Sequence, residues 1–206
     1  MNEGYFVRLF TLLWVFLLGA CSSESGLDTA QYTEFKFGKF DSHYPKHSVK
    51  SSDGLLVCEI ERSCGSASIA TILNIKFLTN LTEQETRDGI LTQRHVERNS
   101  QRVISFVDMK YYLNSLGIEA GGFKVSKAGF TKILNNKMPS AEFPMIIPVT
   151  YGGFKRYAIL NGSDSNYAYI GDTAFGYVKV THADFFNIID DLVVLVIYGR
   201  ELQGSK

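Results

Sequence analysis

Residues 61–73 have the sequence Glu61-Arg62-Ser63-Cys64-Gly65-Ser66-Ala67-Ser68-Ile69-Ala70-Thr71-Ile72-Leu73. The apolar residues at the end of this stretch recur at helical spacing, which predicts a helix with one face in a core. Ser63 is of a type that caps helix N-termini, because its hydroxyl accepts a hydrogen bond from an amide of the first turn. We therefore expect Cys64 at the first turn of a buried helix.

Cys64 has two interpretations in that position. A thiol at a helix N-terminus lies at the positive end of the macrodipole, which favours the thiolate and makes the sulfur a nucleophile. The alternative is a buried cysteine that only packs in a core. The residues around Cys64 leave both interpretations open.

The composition limits the classes of protein that the chain can belong to. It has 206 residues, of which 45% are apolar, and 21 basic side chains are balanced by 21 acidic ones. This length predicts one domain with a proper core. The absence of excess positive charge argues against nucleic acid as a partner. No group of His, Cys and acidic residues has metal-ligand spacing, so we expect no metal or other cofactor.

Residues 1–21 are predicted to be a targeting segment. Arg8 precedes an apolar run from Leu9 to Leu18 that is too short to span a bilayer comfortably. The run ends in Leu18-Gly19-Ala20-Cys21, which resembles the lipobox of bacterial lipoprotein signals. The resemblance implies lipidation of Cys21 and a location in the cell envelope, on the outer membrane facing the periplasm. A single N-terminal anchor helix is the alternative.

The remainder of the chain divides at about residue 50. Residues 22–50 are polar with scattered aromatic side chains and are predicted to be a tether, whereas residues 51–206 are expected to form the folded domain. Capping patterns at Thr82 and Ser105 predict helices, and a hairpin pattern at Asn161-Gly162 lies between short apolar runs. Helices first and strands afterwards predict an α+β fold, with N-terminal helices packed on a C-terminal antiparallel sheet.

Four motifs in this order resemble the bacteriocin-processing, double-glycine cysteine peptidase family, whose fold is papain-like. The motifs are Ser63 to Thr71 for the nucleophile, Ser105 to Lys110 with Leu116-Gly117, Phe154 to Ile159 for the histidine strand, and Ile170 to Gly176 for the orienting aspartate. The similarity covers Leu55 to Tyr198. Within the family, the chain is most similar to exported stand-alone members that accompany functional-amyloid secretion clusters.

The resemblance assigns Cys64 as nucleophile and Asp172 as orienting acid, but two catalytic positions differ. Arg156 occupies the histidine position, and Cys58 occupies that of the glutamine that helps form the oxyanion hole. A guanidinium does not release a proton near neutral pH, so Arg156 cannot replace histidine as general acid. We interpret Arg156 and Asp172 as a charged pair, a fixed strut where a catalytic pair would lie.

The histidines elsewhere in the chain are poor candidates to replace the missing catalytic histidine. His43, His47 and His95 lie in polar segments and are expected to be exposed. His182, at the start of a predicted short helix, is the one histidine in the same half of the chain as Asp172. Its expected role is at the helix cap or on the surface.

The sequence therefore predicts one of two functions. The favoured one is a peptidase-like lipoprotein that binds a secreted polypeptide, in biofilm or amyloid fibre export, without efficient cleavage. The other is an active cysteine peptidase that processes exported polypeptides. The resemblance also implies that the side chain at Cys58 points towards Cys64. A disulfide persists outside the cytoplasm, so the two sulfurs are expected either to bond or to remain separate thiols.

Overall fold

The computed structural model describes residues 32–34, 54–59, 64–94, 103–138, 142–151 and 153–200. The predictions for the targeting segment with Cys21, for Ser63, and for His43, His47 and His95 lie outside these residues. Within the described ranges, no helix is both long and apolar enough to cross a membrane.

The described residues form five helices and seven strands. The helices are α1 (Gly65–Phe77), α2 (Glu83–Gln93), α3 (Phe106–Ser115), α4 (Lys127–Leu134) and α5 (His182–Ile188). The strands are β1 (Thr33–Glu34), β2 (Ile118–Lys124), β3 (Met145–Tyr151), β4 (Phe154–Ser163), β5 (Tyr167–Asp172), β6 (Gly176–Thr181) and β7 (Val193–Arg200).

All strands join one sheet in the order β1-β6-β5-β4-β3-β7-β2. Every pair in it is antiparallel except β1 with β6, which is parallel. The α+β prediction is confirmed: helices α1 to α3 come first, and an antiparallel sheet follows. Strand β2 precedes α4 and was not predicted, because its Gly121-Gly122 pair interrupts the apolar alternation on which strand prediction depends.

Strand β1 comes from the segment that was predicted to be a tether. Tyr32, just before it, makes edge contacts with the rings of Tyr169 and Tyr177, at centroid distances of 4.9 and 5.2 Å. The amide of Asn161 donates to the Tyr32 hydroxyl at 3.3 Å. Residues 32–34 of this segment are therefore docked on strands β5 and β6, with β1 as the edge strand.

The two faces of the sheet bury separate apolar clusters. Helices α1, α2 and α3 cover one face, where Ile69, Leu73 and Met109 pack with sheet residues such as Ile146 and Leu195. Helices α4 and α5 cover the opposite face. Because α1 packs against the centre of the sheet, its N-terminal turns lie beside the start of strand β4, where the candidate site lies.

The helix ends agree with the capping patterns except at α1. Thr82 and Ser105 both form complete capping boxes, and Gly117 follows α3 with a φ of 69°. Helix α1 begins at Gly65, so Cys64 itself is in the N-cap position, with a left-handed backbone at φ 57°. Cys64 therefore occupies the cap position that was expected for Ser63, which itself lies outside the described residues.

Candidate active site

Cys64 is buried at the N-terminus of α1 and is bonded to Cys58. Its exposed fraction is 4%, whereas Cys58 is partly exposed. The disulfide joins Cα atoms that are 5.3 Å apart. Of the two expectations for these sulfurs, the structure therefore contains the disulfide and not two separate thiols.

Glu83, the first residue of α2, holds both ends of the segment that the disulfide closes. Its side chain is buried, and one carboxylate oxygen accepts a hydrogen bond of 2.8 Å from the Glu59 amide. The other oxygen accepts from the Ser66 hydroxyl at 3.4 Å. A buried carboxylate is stabilised when it accepts such bonds, so Glu83 fixes the backbone next to each cysteine.

Two hydrogen bonds attach this segment to the sheet. The Cys58 amide donates to the Thr173 carbonyl at 2.8 Å, directly after Asp172. The Ser68 hydroxyl bonds the carbonyls of Cys64 and Tyr157, at 2.9 and 3.3 Å. The structure therefore brings together the positions of all the predicted catalytic residues, since Tyr157 follows Arg156.

Arg156 is buried against aromatic rings. Its exposed fraction is 8%, and its guanidinium carbon lies 4.5 Å from the ring centroid of Phe175 and 5.8 Å from that of Phe154. Burial lowers the pKa of the Arg156 guanidinium from its usual value, but an arginine remains charged near neutral pH. The cation is stabilised in part by the negative faces of the rings.

The Asp172 carboxyl group stabilises the turn between β5 and β6. It is fully buried, and its Oδ1 accepts hydrogen bonds from the amides of Ala174 and Phe175, at 2.7 and 3.0 Å. Burial raises the pKa of Asp172 to about 7, although these amide bonds act in the opposite direction.

The predicted strut between Arg156 and Asp172 is wrong. Among the described residues, Asp172 Oδ2 accepts no hydrogen bond, and its Oδ1 is occupied by the turn. The Arg156 guanidinium lies on the ring of Phe175 instead. The physical reason is that the carboxylate points into the buried end of its own hairpin, where local amides satisfy it, while the larger cation packs on the ring of Phe175.

His182 lies at the opposite end of the sheet from Asp172. Its amide donates to the Asn166 carbonyl at 3.2 Å, and Thr181 is paired with Tyr167 at the start of β5. Asp172 is five residues further along the same strand, a distance of about 17 Å in extended chain. His182 is therefore not placed to replace the missing imidazole.

Sequence reasoning missed Glu83 and the aromatic residues around Arg156. The capping pattern at Thr82 identified Glu85 as the residue whose side chain accepts a hydrogen bond from the N-cap amide. Nothing in that pattern indicates that Glu83 is buried. Phe154 opens strand β4 with an exposed fraction of 66%, beside the guanidinium. A phenylalanine two residues before Arg156 was the available indication in the sequence.

Three described side chains at this site bear on peptide-bond cleavage. The Cys64 sulfur is in the disulfide and so cannot attack a carbonyl as a thiolate. Arg156 cannot protonate a leaving amine, and the Cys58 side chain offers no N–H to an oxyanion. In this oxidised state, these three side chains supply neither a thiolate nor a general acid.

The comparisons with known proteins agree with this fold. The model of the Peptidase C39 family matches residues 54–199. The chain is 29% identical over 135 residues to the probable functional amyloid protease FapD of Pseudomonas aeruginosa, and 26% identical to that of Pseudomonas fluorescens. Each match covers 66% of this chain and 56% of the relative, so the chain spans little more than half the length of these relatives.

Two solved structures have a similar fold. The first is a double glycine motif protease from an AMS/PCAT transporter, in complex with the leader peptide, with a TM-score of 0.52 and 22% identity. The match covers 70% of this chain and 90% of the transporter protease chain. The second is the peptidase domain of Streptococcus ComA, with a TM-score of 0.54 and 18% identity over 71% and 99% of the two chains. At these identities the likeness supports the fold alone.

Proposed function

The chain belongs to the Peptidase C39 family, and from that membership we propose that it binds an exported polypeptide in the peptidase cleft without cleaving it efficiently. The observation that carries the proposal is that Cys64 is bonded to Cys58 while Arg156 occupies the histidine position. Loss of general acid–base help removes a factor of about 10² to 10⁴ in rate. Loss of one oxyanion donor removes about 10² to 10³ more.

The cleft retains features that suit polypeptide binding. Phe154 is two-thirds exposed, at 66%, and lies beside the buried guanidinium of Arg156. An exposed aromatic ring next to a fixed cation offers an apolar side chain a surface to pack on, and aromatic and arginine residues are enriched at binding hot spots. The names of the relatives suggest functional amyloid polypeptides as the client class, and the bound leader peptide in the transporter protease suggests an extended segment.

We place this activity at the cell envelope. The motivation is the lipobox-like Leu18-Gly19-Ala20-Cys21 after a short apolar run. Lipidation of Cys21 would hold the domain at the outer membrane facing the periplasm, provided that more than one acyl chain is attached, since a single chain binds a membrane only marginally. A periplasmic location is also compatible with a persistent disulfide.

An active cysteine peptidase is the second candidate. Family membership favours it, as does the position of Cys64 at the N-terminus of α1, where a free thiol would be ionised more readily. This candidate requires reduction of the disulfide and a general acid other than Arg156. The proposed binding function requires neither.

Fluorescence anisotropy tests the proposal. The full chain in its oxidised form is titrated into a labelled leader peptide that ends in a double-glycine motif. We expect saturable binding that Phe154→Ala weakens roughly fivefold or more, as expected for loss of an aromatic anchor. Phe123→Ala is the matched control, because Phe123 is also exposed, at 45%, but lies on the far edge strand β2. Absence of binding, or equal weakening by both substitutions, would contradict a client site at this cleft.

A further inference from the structure

We propose that the Cys58–Cys64 disulfide exchanges with external thiols, with attack at the Cys58 sulfur and departure of Cys64 as a thiolate. The pair then acts as a two-electron acceptor for dithiol compounds. This activity goes beyond polypeptide binding and does not depend on it. Three features carry the inference: unequal access to the two sulfurs, the helix end behind Cys64, and the fixed backbone on both sides.

Access favours attack at Cys58. Cys64 has an exposed fraction of 4%, whereas Cys58 is partly exposed and lies between Val57 and Glu59, which are both exposed. A thiolate must approach the sulfur that it attacks from the side opposite to the leaving sulfur. Because Cys58 is the more exposed residue of the pair, we infer that an external thiol attacks its sulfur.

The helix end favours Cys64 as the leaving group. Cys64 is the N-cap residue of α1, a helix of 13 residues with no acidic side chain in its first turn. The positive end of the macrodipole stabilises a thiolate there, and a thiol of lower pKa leaves faster. The Glu83 carboxylate reaches this turn through its bond with the Ser66 hydroxyl, and its negative charge acts against the helix end by disfavouring a thiolate nearby.

The exchange balances in two steps. An external thiolate forms a bond to the Cys58 sulfur, the bond between the two cysteines breaks, and its electron pair leaves on Cys64. The second thiol of the dithiol, after losing its proton, then attacks the external sulfur of the mixed disulfide, and Cys58 leaves as a thiolate. The dithiol has lost two electrons and two protons and has become a disulfide, and the protein pair has gained them.

The backbone keeps the reduced pair in place. The Cys58 amide remains bonded to the Thr173 carbonyl at 2.8 Å, and Glu83 joins Glu59 to Ser66. Neither contact involves a sulfur atom, so we expect both to persist after reduction. The two thiols therefore stay near each other, and a disulfide compound can oxidise them again by the reverse steps.

Peptide mapping by mass spectrometry tests which sulfur is attacked. The full chain carrying Cys21→Ser leaves Cys58 and Cys64 as its only cysteines, since the sequence has three. The oxidised protein is exposed briefly to glutathione, quenched with acid and alkylated. We expect glutathione on Cys58 and the alkyl group on Cys64, with a preference of roughly 3-fold to 30-fold from the helix end.

The same reaction in guanidinium chloride is the control, because unfolding removes both the helix and the difference in access. There we expect the two cysteines to carry glutathione in nearly equal amounts. A preference for Cys64 in the folded protein, an equal distribution in both states, or resistance of the folded protein to glutathione would each overturn the proposal. This experiment measures only which cysteine carries glutathione and does not depend on binding of a client polypeptide. Its failure would therefore leave the proposed binding function untouched.

Discussion

The amide of Cys58 donates a hydrogen bond of 2.8 Å to the carbonyl oxygen of Thr173, the residue after Asp172. This bond joins Cys58 to the turn that follows Asp172. The Ser68 hydroxyl joins the start of α1 to the carbonyl of Tyr157, next to Arg156. Together the two bonds hold the segments that carry Cys58, Cys64, Arg156 and Asp172 close to one another.

Reduction of the disulfide should lower the free energy of unfolding by about 2 kcal/mol. The two cysteines are separated by 6 residues, and closing so short a loop removes a small amount of entropy from the unfolded chain. Urea unfolding with and without reductant measures the difference. The double variant Cys58→Ser/Cys64→Ser is the control, since its stability should not respond to reductant. A wild-type midpoint that reductant leaves unchanged would count against the disulfide.

Titration of the buried Asp172 carboxyl should lower the free energy of unfolding as the pH rises from about 4 to about 7. Burial raises its folded-state pKa to about 7 from an ordinary value of 3.8. Between these values the folded protein holds a proton that the unfolded chain releases, so each rise in pH favours unfolding, and the loss is complete above the folded pKa. The effect is on the order of a few kcal/mol.

Asp172→Asn tests this linkage, because the amide keeps an oxygen that can accept from Ala174 and Phe175 but carries no charge. Relative to wild type, this variant should gain stability at pH 8 and gain little at pH 5, as measured by urea midpoints. Parallel stability profiles of the two proteins would show that Asp172 does not titrate in this range.

The sequence predicted the features that local chemistry controls. The capping boxes at Thr82 and Ser105 place α2 and α3 correctly, because each depends on residues within one turn. Strand β1 was missed because it has only two residues, and its pairing with β6 is a tertiary contact. The left-handed backbone of Cys64 likewise depends on its tertiary setting, so Ser63 was assigned the cap in its place.

The site residues were identified by their positions and only partly by their contacts. The resemblance to the double-glycine peptidase family assigned Cys64, Arg156 and Asp172 to one site. It did not determine which way each side chain points, since a strut and separate packing are both compatible with that assignment. In the structure, the Arg156 guanidinium packs on the ring of Phe175, three residues after Asp172.

Restoring the missing groups should restore peptide cleavage. Cys58→Gln frees Cys64 and returns an amide donor, and Arg156→His supplies an imidazole that Asp172 Oδ2 is available to orient. We expect Arg156→His under reducing conditions to raise kcat/KM by about 10²-fold or more, and the double variant by a further factor of about 10². The assay is cleavage of a double-glycine leader peptide. An equal rise in Arg156→Lys, which has no imidazole, would refute this explanation.

Cys21→Ser should release the protein from membranes. The lipobox-like motif places the acceptor sulfur at this position, and serine provides no thioether. Cell fractionation and immunoblotting compare the variant with wild type, and Cys58→Ser serves as a control that keeps the acceptor. Membrane association that survives in Cys21→Ser would contradict lipid anchoring and favour an N-terminal anchor helix.

The most direct test of binding without cleavage follows the leader peptide itself. The full chain is incubated with the peptide under oxidising and then reducing conditions, and the peptide is analysed by mass spectrometry while anisotropy reports its binding. We predict bound, intact peptide in both conditions, because reduction frees Cys64 but leaves Arg156 where a general acid is needed. Efficient cleavage in either condition that disappears in Cys64→Ala would contradict the account.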